Sequence, residues 1–261
     1  MPRVAALDCD VQKDFPPSVG FRYYGDRVQA WLSEPGDDGW SWRQFRVNSE
    51  RELPSLDEVA SSFDGFVIPG SRSNVTDPEP WIPPLIEVIR RAHELGKALV
   101  GICFGHQIIA HALGGTVSPR PPFNFTLDTI QLLPAAGEPA AAHLGLNSAS
   151  TLQLYKAHGF QVTEPPPGAL VLAESERTPV EMYSLQANVF CCQSHPEFTK
   201  ATMLAIVENL KALEEDSPSH MSAARAEEAV RRLDAAEASP EPLRALARSL
   251  LARAPSTTTH L

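Results

Sequence analysis

Long apolar runs are missing from this chain, and so is any excess of basic residues. The opening "MPRVAALDCD" holds one basic residue and a short apolar stretch before Asp8, less than the apolar region of a signal peptide. A spanning helix needs about 20 apolar residues. A soluble, cytoplasmic protein with no membrane partner is therefore expected. Lys and Arg number 22 against 32 Asp and Glu, a net charge of −10. That balance argues against nucleic acid and anionic membranes as partners. Cysteine is scarce: Cys9, Cys103, Cys191 and Cys192. Adjacent cysteines rarely bridge, and no C-x-x-C spacing occurs, so neither a disulfide framework nor a thiolate metal site is expected. His106 and His111 are five apart and do not stack on one helix face, so no metal is assigned to them. No internal repeat, P-loop or dinucleotide fingerprint is present, and no cofactor is expected.

What is present is an alternation of short apolar runs and helix-period segments. Arg3–Asp8, Phe63–Gly70 and Ala98–Ile102 read as buried strands, and Trp40–Val47 as an edge-side strand. From Trp81, the positions Leu85, Val88, Ile89, Ala92 and Leu95 recur at helical spacing until Gly96 stops them. A second helix is expected from Phe104 to Leu113, ending at Gly114 and Gly115. This rhythm predicts an α/β fold with a mostly parallel sheet and helices on both faces. The middle is richer in β: "TLDTIQLL", "TLQLYKA", "ALVLAES", "VEMYSL" and "NVFCCQ" read as strands between Pro, Gly and Ser clusters. "SPRPPFNF" reads as a Pro-rich loop, with Arg120, Phe123 and Asn124 either bordering a pocket or filling the loop. A helix is expected over Phe198–Leu213. After "EEDSPS", two amphipathic segments, Met221–Ala236 and Pro240–Ala252, suggest a helical hairpin with a frayed end. The expected organisation is thus an α/β domain over 1–213 and a helical appendage over 214–261.

"KALVGICFGHQIIAHALGG" (Lys97–Gly115) carries the chemistry. A cysteine between a strand and a helix sits on a sharp turn, and Gly101 and Gly105 relieve the crowding there. The helix start turns free N–H groups and a positive dipole end toward the Cys103 thiol, favouring thiolate. The backbone N–H of Phe104 can hold an oxyanion. A thiol nucleophile needs a base. "FCCQSHPEF" supplies His195, with Glu197 two residues on, a spacing that in extended chain returns both side chains to one side. Glu197 can then fix the His195 tautomer while the other ring nitrogen faces Cys103. A buried structural cysteine and a strand-end histidine are the bland readings of each residue alone; together the two segments favour catalysis.

"GICFGHQ" followed by "QSHPE" resembles the class I glutamine amidotransferase family, whose elbow reads G-x-C-x-G-x-Q and whose base segment reads H-P-E. Within it, "WRQFRV", "FDGFVIPGS", "GICFGHQIIA", "GGTV", "VEMYS" and "FCCQSHPEF" look most like the stand-alone γ-glutamyl peptidases. The two C-terminal helical segments resemble that branch as well. The resemblance implies the family's flavodoxin-like sheet, with Cys103 as nucleophile, His195 as base and Glu197 as its orienting acid. It implies oxyanion donors from the backbone at Gly70 and Phe104. It also implies a glutamyl pocket bordered by Gln107 and by His158 and Gly159 of "KAHGF". Where the γ-glutamyl peptidases tend to carry an acidic residue, this chain has Phe160. The implied activity is hydrolysis of γ-glutamyl amide bonds, in γ-glutamyl peptides or glutathione conjugates, through a γ-glutamyl thioester. Two alternatives stand beside it: a glutaminase subunit feeding ammonia to a separate synthase partner, and a catalytically silent binding scaffold.

Overall fold

The computed structural model describes residues 1–11, 22–36, 39–133, 151–213 and 220–253. Nine strands form one sheet in the order β2-β1-β3-β4-β9-β8-β7-β5-β6. Its parallel half comprises β1 (Arg3–Asp8), β2 (Ser41–Arg46), β3 (Gly65–Ile68), β4 (Ala98–Ile102) and β9 (Val189–Cys192). The antiparallel half continues from β9 through β8 (Thr178–Leu185), β7 (Leu170–Ser175), β5 (Thr116–Leu132) and β6 (Thr151–Glu164).

Period-two alternation decides which core each strand residue enters. Phe66, Ile68 and Leu99 face one side with α3 (Leu56–Ser61), α4 (Ile82–Glu94) and α5 (Phe104–Ala112). Val67, Val100 and Cys192 face the other with α1 (Tyr24–Leu32) and α8 (Glu241–Ala252). A short α2 (Val47–Glu50) follows β2. Local signals set the helix ends. Ser55 and Glu58 form a capping box on α3, and Gly96, at φ 65°, follows α4.

The edge-side strand expected near Trp40 is β2, at the sheet margin. The segment read as a Pro-rich loop is a correction: residues 118–125 lie within β5. Proline cannot donate to a ladder, and the β5–β6 register shifts between the Pro119 and Asn124 pairs. A strand with an irregularity therefore accommodates what looks in sequence like a break. That irregular ribbon returns toward the carboxyl ends of β4 and β9, although β6 is last in the sheet order. Tyr155 of β6 accepts the His195 N–H at 2.8 Å.

The C-terminal segments are helical, as α7 (Ala223–Ala235) and α8, but they dock at separate places. Helix α7 rests on α6 (Lys200–Lys211) and β5; α8 rests on α1, β4 and β9. Leu243, Ala247 and Leu251 are completely buried, each leucine contributing about 2 kcal/mol by burial. Their spacing forms one apolar stripe, whose partner is the sheet and α1. The boundary expected at residue 214 and the frayed end expected for residues 255–261 lie outside the described residues. Among the described residues no helix is long and apolar enough to cross a membrane.

Candidate active site

The strand-turn-helix around Cys103 is built by close backbone approach. Cys103 is the N-cap of α5 with φ 52° and ψ −102°, a conformation that L side chains rarely adopt. Gly105 is required there: a Cβ on it would lie 1.8 Å from the Ile68 carbonyl oxygen. Its N–H donates to the Pro69 carbonyl at 3.1 Å, and the Cys103 N–H donates to the Cys192 carbonyl at 2.9 Å. The strained residue is thus clamped from β3 and β9, its neighbours in the sheet. The Phe104 N–H has no acceptor among the described residues, so it is available to a developing oxyanion.

The loop after β9 brings the histidine. His195 Nδ1 lies 2.8 Å from Glu197 Oε1, and both side chains are buried. The pair meets through a turn at Pro196 and Glu197 and not through extended chain, with the Phe198 N–H donating to the His195 carbonyl at 3.3 Å. Phe198 stacks on the imidazole with centroids 4.0 Å apart and planes at 10°. Burial works against a charged His195. The charges of Cys103 and Glu197 and their hydrogen bonds outweigh it and raise its pKa to about 10. Gly70 lies against the ring: a Cβ there would come 2.9 Å from His195 Cε1. Glycine at this position lets the loop after β3 approach the imidazole.

The residues expected to border a glutamyl pocket are brought together too, with the Gln107 amide nitrogen and both His158 ring nitrogens already engaged. Gln107 Nε2 donates to the Phe160 carbonyl at 2.8 Å and to Gln193 Oε1 at 3.1 Å. His158 Nδ1 faces the Phe160 carbonyl at 2.9 Å, which makes Nδ1 the protonated nitrogen, and Nε2 accepts from Asn124 Nδ2 at 3.0 Å. Burial holds the His158 pKa well below the usual imidazole value, so the ring is a neutral strut. Gly159 and the backbone beside it line the cavity.

That cavity, about 500 Å³, is bordered by Cys103, His195, Gln107 and the 157–160 backbone. Ser71, Arg72 and Ser73 give it a polar side; Phe123, Ile206 and Leu210 give it an apolar one. Phe123 therefore borders the site, Asn124 braces His158, and Arg120 is buried with its guanidinium on the Pro122 carbonyl at 3.0 Å. His106 is fully buried beside Tyr183, and Cys9, Cys191 and Cys192 sit in the core. No group of three His, Cys, Asp or Glu among the described residues is arranged to hold a metal ion.

Sequence reasoning missed Gln193 and Phe198. Gln193 is completely buried, and its Nε2 lies 3.6 Å from Cys103 Sγ. Its place two residues before His195 was the available signal, the same spacing used for Glu197.

A strained cysteine at a strand-to-helix elbow thus shares one cavity with a carboxylate-held histidine, and the comparisons identify the family. The profile of the glutamine amidotransferase class-I family matches residues 42–211, and the chain belongs to that family. It is a glutamine amidotransferase-like hydrolase. It is 34% identical over 190 residues to gamma-glutamyl peptidase 4 of Arabidopsis thaliana, covering 72% of this chain and 74% of that protein. It is 33% identical over 162 residues to the glutamine-hydrolyzing GMP synthase of Aeropyrum pernix, 59% of this chain but 29% of that protein. The crystal structure of a glutamine amidotransferase from Methylobacillus flagellatus superposes with a TM-score of 0.68 at 19% identity. It covers 96% of this chain and 94% of its own, a likeness of fold.

Proposed function

We propose that this protein hydrolyses γ-glutamyl amide bonds through a thioester on Cys103, acting on γ-glutamyl peptides or glutathione-type conjugates. The observation that carries the proposal is the Cys103, His195 and Glu197 alignment opening onto a cavity of about 500 Å³ with an apolar side. A pocket in the roughly 300–1,000 Å³ range suits a ligand larger than a free amino acid. The thiolate lone pair forms a bond to the γ-carbonyl carbon, and the carbonyl π pair moves to oxygen, facing the N–H groups at Phe104 and Gly70. Collapse breaks the C–N bond as His195 gives its proton to the leaving nitrogen. Water, losing a proton to His195, then attacks the thioester and releases glutamate and the thiolate. The apolar side of the cavity takes the leaving group. A cytoplasmic location fits the four cysteines, which are all free thiols.

A second reading, a glutaminase that supplies ammonia to a separate synthase, is favoured by the match to a short part of a GMP synthase. Glutamate release separates the two. Release from γ-glutamyl dipeptides and S-substituted glutathione, well above release from glutamine, is expected. Release from glutamine alone, rising when a synthase is added, would replace the first reading by the second.

The acid-base pairing also fixes a pH dependence. His195 must carry a proton to expel the leaving nitrogen, and its raised pKa keeps that proton until pH nears about 10. The alkaline limb of kcat/KM, which reports the free enzyme, is therefore expected near pH 10. Glu197→Gln removes one of the two anions that favour imidazolium, so the limb should move to lower pH. A limb near pH 7 in the parent enzyme, or one unmoved by Glu197→Gln, would contradict the pairing.

A further inference from the structure

We propose that Gln193 is a catalytic residue: its side-chain amide donates an N–H to the Cys103 sulfur and holds it as thiolate, and Gln107 is the positioning residue that aims it. The inference rests on Cys103 being the nucleophile of the proposed reaction. The orientation of the amides follows from one fixed acceptor. The Phe160 carbonyl can only accept, so the end of Gln107 facing it at 2.8 Å is Nε2. The same Nε2 faces the amide of Gln193 at 3.1 Å, and only Oε1 can meet it there without opposing two donors. Nε2 of Gln193 is thereby turned to Cys103 Sγ, at 3.6 Å. Gln193 is completely buried and its backbone N–H is tied to the Glu181 carbonyl at 2.8 Å. The donor is therefore held in place before substrate arrives.

The sulfur then has two side-chain donors, His195 and Gln193. As a protonated thiol it would donate to the neutral His195 ring or, weakly, to the Ala157 carbonyl at 3.9 Å. Donors to sulfur favour the anion, because an N–H bond to a charged atom is stronger than one to a neutral atom. Gln107, which the family resemblance assigns to the glutamyl group, spends its N–H donors on protein acceptors in this chain. Its contribution to the reaction passes through Gln193.

Alkylation of Cys103 by iodoacetamide tests this without any γ-glutamyl substrate: the thiolate sulfur bonds to the methylene carbon, iodide leaves with the C–I bonding pair, and His195 keeps its proton. Modification is followed by peptide mass against pH, on the intact chain, with thermal unfolding as the folding control. Gln193→Leu is expected to lower the alkylation rate at pH 7 about tenfold, the scale of one hydrogen bond to a charged atom. The deficit should close as pH rises, which a general loosening of the site would not produce. Gln107→Met should give a smaller deficit of the same shape, and it serves as the deciding variant if Gln193→Leu does not fold. A folded variant with the parent's rate and pH profile would overturn the inference. A parent chain that is alkylated with this profile yet releases no glutamate would sink the substrate reading and leave this one intact.

Discussion

Cys103→Gly is expected to release no glutamate and yet to be more stable than Cys103→Ala. Both substitutions remove the sulfur, and loss of a nucleophile in a cooperating triad lowers kcat by at least about 10⁴. They differ only in the Cβ. At φ 52° and ψ −102°, a side chain costs on the order of 1–3 kcal/mol. Glycine's extra freedom in the unfolded chain returns roughly 0.5–1 kcal/mol of that. A net advantage for glycine of about 1 kcal/mol follows, or roughly 2–4 °C in Tm. Thermal unfolding of the two variants side by side reads it directly. Alanine equal to or above glycine would mean the elbow is not strained. Glutamate release persisting in either variant would remove Cys103 from the mechanism.

The second large effect lies behind the site, in charges that the reaction does not use. Lys156 is completely buried in β6, and its ammonium pairs with Glu181 of β8, with Asp128 at 2.7 Å and with the Ser175 hydroxyl at 2.8 Å. Glu181 is buried as completely; it accepts from Ser175 at 2.6 Å and from Ser194 at 3.3 Å. Ser194 precedes His195, and Lys156 precedes the backbone that borders Cys103, so the pair joins the two segments of the site. Lys156→Met would leave the Glu181 carboxylate buried with hydroxyls alone. Breaking such a pair costs about 3–5 kcal/mol, a fall in Tm on the order of 10 °C. The double variant Lys156→Met/Glu181→Met removes the stranded charge as well, so it should regain much of the loss. A single variant as stable as the parent, or a double variant no better than the single, would show that the charges are not held as described.

The two effects have different origins. The elbow stores strain in one residue, where backbone contacts from β3 and β9 over-determine the conformation. The ion pair removes two charges from water and recovers the cost only while both partners and the serine hydroxyls are in place. The site therefore depends on its sheet in two ways: contacts that hold the Cys103 turn open toward the cavity, and charges that hold the flanking segments to each other.

Sequence alone determined the features whose physics is local. The apolar run Ala98–Ile102, the glycines around Cys103 and the periodic positions after Phe104 specify a strand, a tight turn and a helix within one short segment. Leu243, Ala247 and Leu251 specify an apolar helical stripe in the same way, and Glu197 stands near enough to His195 for their contact to be expected, although a turn and not extended chain delivers it. What only the tertiary structure decided depends on register and sheet order. Residues 118–125 look like a loop because prolines break ladders, but a register shift lets the chain remain paired. The stripe on α8 needs a partner, and only the fold shows that partner to be α1 and the sheet, with α7 docked elsewhere. Lys156 meets Glu181, and Gln193 reaches Cys103, because β9 lies between β4 and β8 and because β6 returns over their ends. Spacing along a chain sets which way a side chain points within its own element. Which side chain it then meets is set by long-range strand pairing, and that leaves no periodic mark in the sequence.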